Sequence, residues 1–449
     1  MIGSLKDIGN IPDLRKRLFF TLGMLAVYRF GVFVTTPGIN IIKLRETFAT
    51  QDGTLFGLVN MFSGGALENF SIFTLGLAPY ISVSIIVQLM TPMIPSLERL
   101  RKEGDYGRRI LTRYTRIGTI LLALVQSYFI IAIGLESRPG LVEVPGMMFR
   151  LTTMMTLTAG TAFTMWLGEQ ITEKGLGNGS SIIIFTGILA RMPSVLVGTL
   201  ALARSGELSP FTVLFLMVFC LATIFAIVFV ERSSRKVPVQ YPRRTVGNQA
   251  IAANTQYMPL KLNMSGVIPP IFASALFALI ATVGSFSKNE DVKDFVATYI
   301  TPGVWSYELM FAALVIVFSF FYTAIIFNPE EVAENLKKNG GFIPSVRPGK
   351  QTIDYFYWLL NRITLWGALY IAAVCVIPQT VYFALGADSF AYVFGGTAIL
   401  IVVGVTLDTA SQIESILVAR HYEAFMSQTS KMKGGVGNLG FARSRVFKR

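Results

Sequence analysis

Apolar residues in this chain come in blocks of about 20, and charged residues fall almost entirely in the gaps between them. An α-helix rises about 1.5 Å per residue, so a block of that length crosses the roughly 30 Å of hydrocarbon in a bilayer. Of 449 residues 53% are hydrophobic and only 14% are charged, against about a quarter charged in an ordinary soluble domain. A soluble fold of this size would expose more apolar surface than its charges could solvate, which excludes a soluble enzyme. Block length and 12% aromatics also exclude a disordered or fibrous chain.

Ten blocks qualify, near residues 18–35, 75–94, 116–135, 150–168, 177–192, 211–230, 265–286, 307–327, 363–379 and 391–409. The first follows basic residues but runs into VTTPGI without a small-residue cleavage site, so it is read as a retained span and not a signal peptide. The fifth is short, and Arg191 and Pro193 interrupt it; residues 193–205 then read as an amphipathic helix on the outer surface. With the N-terminus inside, 30 of the 39 Lys and Arg fall in inner segments and 9 in outer ones. Basic residues accumulate in cytoplasmic loops, so both termini are expected in the cytoplasm.

The polar stretch 203–210 (ARSGELSP) divides the spans five and five. An odd number per half inverts the second half relative to the first, and inverted halves commonly enclose a pathway marked by interrupted spans in matching positions. The second span of each half fits: TLGLAPYISVSIIVQLM carries Pro79 after Gly76, and MSGVIPPIFASALFALI carries Pro269 and Pro270 after Gly266. Kinks in ordinary packed helices would explain the prolines equally. Residues 61–75 (MFSGGALENFSIFTL) are too short to cross, and Glu68 and Asn69 would be costly in lipid. They read either as a re-entrant element covered by protein or as a surface loop with one helical turn.

Span interiors hold almost no ionisable groups, Arg29 lying near an outer end and Glu169 and Asp408 at cytoplasmic ends. This weighs against a small-solute secondary transporter, which needs coupling groups at mid-membrane. A lipid scramblase or an insertase with an unsealed groove is the other rival. A single histidine, His421, excludes a His-rich metal or acid–base centre, and two distant cysteines, Cys220 and Cys375, give no disulfide framework. EKGLGNGSS (173–181) lacks the Lys-Ser/Thr pair of a phosphate loop and reads as a turn with Asn178 or Ser180 capping a helix. No segment is built to hydrolyse ATP, so any work must come from a partner. The loops 231–264 and 328–362 are long for connections between adjacent spans. The first alternates like a hairpin in KVPVQYP and carries Arg243 and Arg244, a cluster able to attract RNA, an acidic protein or anionic lipid.

In order along the chain, FSGGALENFSIFTLGLAPYISVSIIVQL, TRYTRIGT, MWLGEQITEKGLGNGSSIIIFTGI, NMSGVIPPIFASALF, FNPEEVAENLKKNGGFIPSVRPGKQT and FGGTAILIVVGVTLD resemble the SecY family, channel subunits of the bacterial protein translocon. The resemblance runs from about residue 5 to 425 and is least in the tail. It implies an all-α membrane protein of ten helices in two inverted five-helix halves, 1–202 and 203–430, with a short re-entrant plug helix at 61–72 and a basic cytoplasmic tail, 431–449. By motif, Ile81, Ile85, Ile184, Ile268, Ile271 and Ile401 would form the pore ring. Phe62, Ser63, Gly64, Gly65, Ala66, Leu67, Glu68, Asn69 and Phe70 would form the plug. Ser82, Gln88, Asn263, Pro269 and Pro270 would belong to a lateral gate made by the second, third, seventh and eighth spans. Arg243, Arg244, Arg347 and Lys350 would meet the motor ATPase SecA or the ribosome, through its RNA and proteins. SecE and SecG would complete a heterotrimer in the bacterial plasma membrane, acting on signal-bearing preproteins among membrane lipids. The resemblance implies no catalysis and no cofactor.

Overall fold

The structure, a computed structural model, describes residues 12–44, 63–136, 140–241, 244–246, 249–251, 255–286, 290–300 and 303–418. Each stretch expected to span is helical. α1 is Pro12–Gly31, α2 Ala78–Met93 and α3 Pro95–Lys102. α2 and α3 meet at 97°, the break falling at Ile94 between Pro92 and Pro95, where neither proline can donate to the helix. α4 (Asp105–Phe129) continues as a π-helical stretch, Ile130–Leu135. α5 is Met147–Lys174 and α6 Gly179–Ser205, and they are joined by the glycine-rich turn. Asn178 caps α6, its side chain accepting from the Ser180 amide at 3.2 Å. Gly179 lets the helices meet, since a Cβ there would lie 1.9 Å from the Gly168 carbonyl oxygen.

Gly206 in the left-handed region ends α6, and Ser209 and Pro210 start α7 (Pro210–Glu231). β1 (Ser234–Gln240) then pairs antiparallel with β4 (Thr255–Lys261), with β2 (Arg244–Val246) and β3 (Gln249–Ile251) paired beyond them. The alternation in KVPVQ buries Val237 and Val239. α8 (Ile268–Phe286), α9 (Glu290–Tyr299) and α10 (Trp305–Ile326) follow. Next come α11 (Pro329–Lys338), α12 (Lys350–Ala384), α13 (Asp388–Phe394) and α14 (396–418). One core joins residues of α1, α2, α5 and α6 to residues of α7, α8, α10 and α12–α14.

Among the described residues, five helical stretches are long and apolar enough to cross a membrane, or six if the bent α2–α3 pair counts as one span. α4 falls short because its first turns hold Arg108, Arg109, Arg113 and Arg116; α5 is diluted by threonines.

Four expectations need correction. The fifth span is not interrupted: α6 runs unbroken through Arg191 and Pro193, and no separate helix begins at 193. Arg191 is tolerated there because its guanidinium lies 2.5 Å from the Glu68 carboxylate. Residues 328–362 are not a loop: α11 and the first turns of α12 fill most of them, because Phe356, Leu359 and Ile363 recur at helical spacing and pack on Val237, Leu260 and Ile343 of the hairpin region. Residues 63–72, the described part of the expected plug helix, form turns interrupted by a single bridge at Ser71, and no helix, with Gly64, Gly65 and Phe70 at positive φ; Phe62 lies outside the described residues. Finally, one expected span does hold a buried carboxylate at its end: Glu308, in the first turn of α10, where the helix dipole favours negative charge.

Candidate functional site

The prolines that looked like kinks are helix starts. Gly76 turns the chain at φ +52, and α2 begins two residues on with Pro79 in its first turn; Gly266 does the same at φ +63, and α8 begins two residues on with Pro269 and Pro270. Proline suits the first turn because its missing N–H would have no helical partner there. α2 and α8 pack against each other, and each brings its first turn to one place.

Two cavities meet at that place. The larger, about 950 Å³, is walled by α2 from Leu77 to Thr91, by Arg108 and Arg116 of α4, Glu169 of α5, Ile184 of α6, Ile268 and Ile271 of α8 and Tyr322 of α10. The smaller, about 40 Å³, is bounded by Ser63, Leu75, Gly76, Ser274 and Ala275 among others. Leu77, Ile81, Ile184 and Ile271 line both. They are the wall that the two cavities share, made of aliphatic side chains without a hydrogen-bonding group.

Of the six isoleucines expected in a ring, Ile81, Ile184 and Ile271 are in this wall, and Ile268 lines the larger cavity only. Ile85 and Ile401 line neither; both are buried in the surrounding core. Leu77 was missed. Its signal was spacing, since it precedes Ile81 by four residues and so shares its helix face.

The 63–77 segment sits under the smaller cavity and is anchored mainly by α1 and the strand-like stretch after it. The Tyr28 hydroxyl donates to the Ser63 carbonyl (3.2 Å) and the Arg29 guanidinium to the Gly64 carbonyl (2.8 Å). The Thr36 amide and hydroxyl both donate to the Phe70 carbonyl, and the Ile72 amide donates to Val34. On the far side Arg191 pairs with Glu68. A Cβ on Gly64 would lie 2.8 Å from the Gly187 Cα, so segment and α6 touch backbone to backbone.

The polar residues expected at a lateral gate do not converge. Gln88 faces the larger cavity and donates to Ser84 (3.1 Å), whereas Ser82 is buried off it. Asn263 is buried at the turn before α8. It donates to Glu231 (2.6 Å) and the Gly266 carbonyl (3.1 Å), and accepts from the Ser265 hydroxyl and the Gly266 amide. From α3 the Arg101 guanidinium donates to the Ile325 carbonyl at the end of α10 (2.7 Å). Its neighbour Lys102 is engaged with Glu98 at 2.7 Å, and this hydrogen bond holds the exposed Glu98 carboxyl below its ordinary range. Arg116 and Glu169 pair on the cavity wall at 2.8 Å.

At the basic end, hairpin and α11–α12 turn form one unit, Gln240 and Phe342 exchanging backbone hydrogen bonds of 2.8 and 2.9 Å. Arg347 and Lys350 are exposed on it, in a turn shaped by Ser345 (φ +69) and Gly349 (φ +107). Arg244 opens β2, and Arg243 lies outside the described residues.

A helical fold with several helices of membrane-crossing length, and a large cavity bounded at one end by aliphatic side chains, defines the class to compare it with, helical membrane proteins. Solved structures agree on the fold: one described as a protein-conducting channel matches with TM-score 0.65 at 16% identity, over 89% of this chain and 92% of that one. Sec61 in a canine ribosome–channel complex from the endoplasmic reticulum matches with TM-score 0.60 at 15% identity, over 89% and 92%. The family model SecY matches residues 71–410. The protein translocase subunit SecY of Escherichia coli (strain K12) is 45% identical over 432 residues, 95% of this chain and 96% of that protein. The chain belongs to the SecY family.

Proposed function

We propose that this chain is the protein-conducting subunit of a bacterial Sec translocon, passing unfolded secretory polypeptides across the plasma membrane and releasing membrane helices sideways. The observation that carries this is the wall of Leu77, Ile81, Ile184 and Ile271 between two cavities. A narrow aliphatic ring hinders ions by dewetting, and without a hydrogen-bonding code it yields to any passing sequence. The relative's name, protein translocase subunit, agrees.

In this reading residues 1–202 and 203–430 are inverted halves, ten helices span the membrane and both termini are cytoplasmic. Residues 61–72 are the plug, and the second, third, seventh and eighth spans make the lateral gate, along the α2–α8 seam. Arg243, Arg244, Arg347 and Lys350 dock SecA or the ribosome, the latter in keeping with the ribosome-bound canine channel. SecE and SecG complete the heterotrimer, and SecA or translation supplies the work, the chain itself having no catalytic role. Partner docking and a signal helix at the seam shift the population from closed to open.

The test is reconstitution of the chain with SecE and SecG in vesicles, addition of SecA, ATP and a radiolabelled signal-bearing preprotein, and measurement of protease-protected product. Protection that needs both ATP and the signal is expected. Its absence, with correct insertion and SecA binding demonstrated, would overturn the reading in favour of an insertase.

A further inference from the structure

The seat of the 63–77 segment is unusual in its charge. The segment brings one carboxylate, Glu68, to the outer part of α6, where Arg191 meets it at 2.5 Å. A second guanidinium, Arg29 of α1, is fixed over the Phe33 ring at 5.1 Å from its centroid and donates to the carbonyl of Gly64, four residues before Glu68. The Glu68 side chain is 36% exposed and that of Arg191 19%, so the pair is half-shielded from water. The segment has no helix or sheet of its own at 63–70 to hold its shape, and Phe70 is in the left-handed region, a conformation that persists only when surrounding contacts impose it.

Apolar contacts beneath this segment are poor determinants of the resting state, because a polypeptide in the pore replaces them with contacts of the same kind. A charge pair is different. Leaving the seat separates Arg191 from Glu68, and at this half-shielded site the separation costs more than it would between two fully exposed side chains. We propose that Glu68 and Arg191, with Arg29 as second anchor on the Gly64 carbonyl, form an electrostatic lock that sets how firmly the plug is seated. The lock rests on the reading of residues 61–72 as the plug, and goes beyond it by making one ion pair the determinant of the closed population. The passing chain cannot reproduce the contact by apolar packing, so the lock reopens only when the channel is driven, and it re-forms when the pore empties.

The experiment measures resting ion conductance of the full chain with its partner subunits in planar bilayers, without SecA or preprotein. Compared are wild type, Glu68→Arg, Arg191→Glu, the two reversals combined, Glu68→Gln, and a deletion of residues 63–70. Correct folding of each is checked by monodispersity and thermal unfolding in detergent. Each single reversal is expected to raise conductance about tenfold, and the near-isosteric Glu68→Gln to raise it severalfold. The combined reversal is expected to return it to within about twofold of wild type. Single reversals that conduct like wild type would overturn the lock, as would a combined reversal as leaky as either single one. If the single reversals conduct like wild type while the deletion conducts freely, the segment is a plug without this lock. If the deletion also conducts like wild type, the plug reading itself fails. Should a reversal not fold, Glu68→Gln alone decides, a conductance equal to wild type counting against the lock.

Discussion

The guanidinium of Arg101 donates a 2.7 Å hydrogen bond to the backbone carbonyl of Ile325, 224 residues further along the chain. That carbonyl is in the last turn of α10, where carbonyls lack a partner within the helix and the dipole is negative, so a cation there is favoured twice over. Arg101 is on the short helix that turns away from α2, so the contact ties the end of the α2 arm to α10 over the mouth of the larger cavity. A charge-assisted bond at an exposed site contributes about 1 kcal/mol. Arg101→Ala should therefore broaden the distance between spin labels on α3 and α11 in electron-spin distance measurements without unfolding the chain. A distribution as narrow as wild type would show that other contacts hold the seam.

The two groups of isoleucines should separate experimentally. Glycine at Ile81, Ile184 and Ile271 together removes most of the wall between the cavities and should raise ion leak in planar bilayers. Ile401, fully buried and lining neither cavity, should behave as core: Ile401→Ala is expected to cost about 2–5 kcal/mol of stability with little change in conductance. Leak from Ile401→Ala in a channel of unchanged thermal stability would place it in the wall after all.

Asn263 holds the turn that launches α8. Its amide donates to the Glu231 carboxylate and the Gly266 carbonyl, and its oxygen accepts from Ser265 and Gly266. Asn263→Ala leaves those groups without their partner and should cost about 1–3 kcal/mol, seen as a lower Tm in detergent. An unchanged Tm would mean that water or a neighbour takes over the turn.

Arg347 is exposed in a turn shaped by two residues in the left-handed region, Ser345 and Gly349. If it docks a partner, Arg347→Glu should slow SecA-driven export while leaving Tm and resting conductance as they were. Gly349→Ala should slow export too, because a Cβ at φ +107 is strained and must move the turn. Normal export by Arg347→Glu would remove this residue from the docking surface.

Local features of this molecule were legible in its residues. Alternation in KVPVQ marked a strand of the hairpin, Asn178 marked a helix cap, and Gly76 and Gly266 with their prolines marked matching points in the chain. Their meaning was less legible: a Gly-Pro pair reads equally as a kink, and only the backbone showed two helix starts brought face to face. The interruption expected at Arg191 failed for a related reason. A lone arginine in an apolar run counts as a break until its partner, 123 residues away, is known.

Composition and spacing by themselves determined that the chain is helical, that it belongs in a membrane, and roughly where its apolar helices lie, because those properties depend on residues within a few turns of one another. Which of the expected isoleucines line both cavities, and which are packed away from them, was decided by tertiary structure. A helix that is apolar on every side carries no periodic signal for the face it turns inward, and Ile81 and Ile401 look alike until the helices are rotated against each other. The same holds for Glu68 with Arg191 and for Arg101 with Ile325. These are contacts between groups more than a hundred residues apart, chosen by the packing of helices whose own sequences do not encode it.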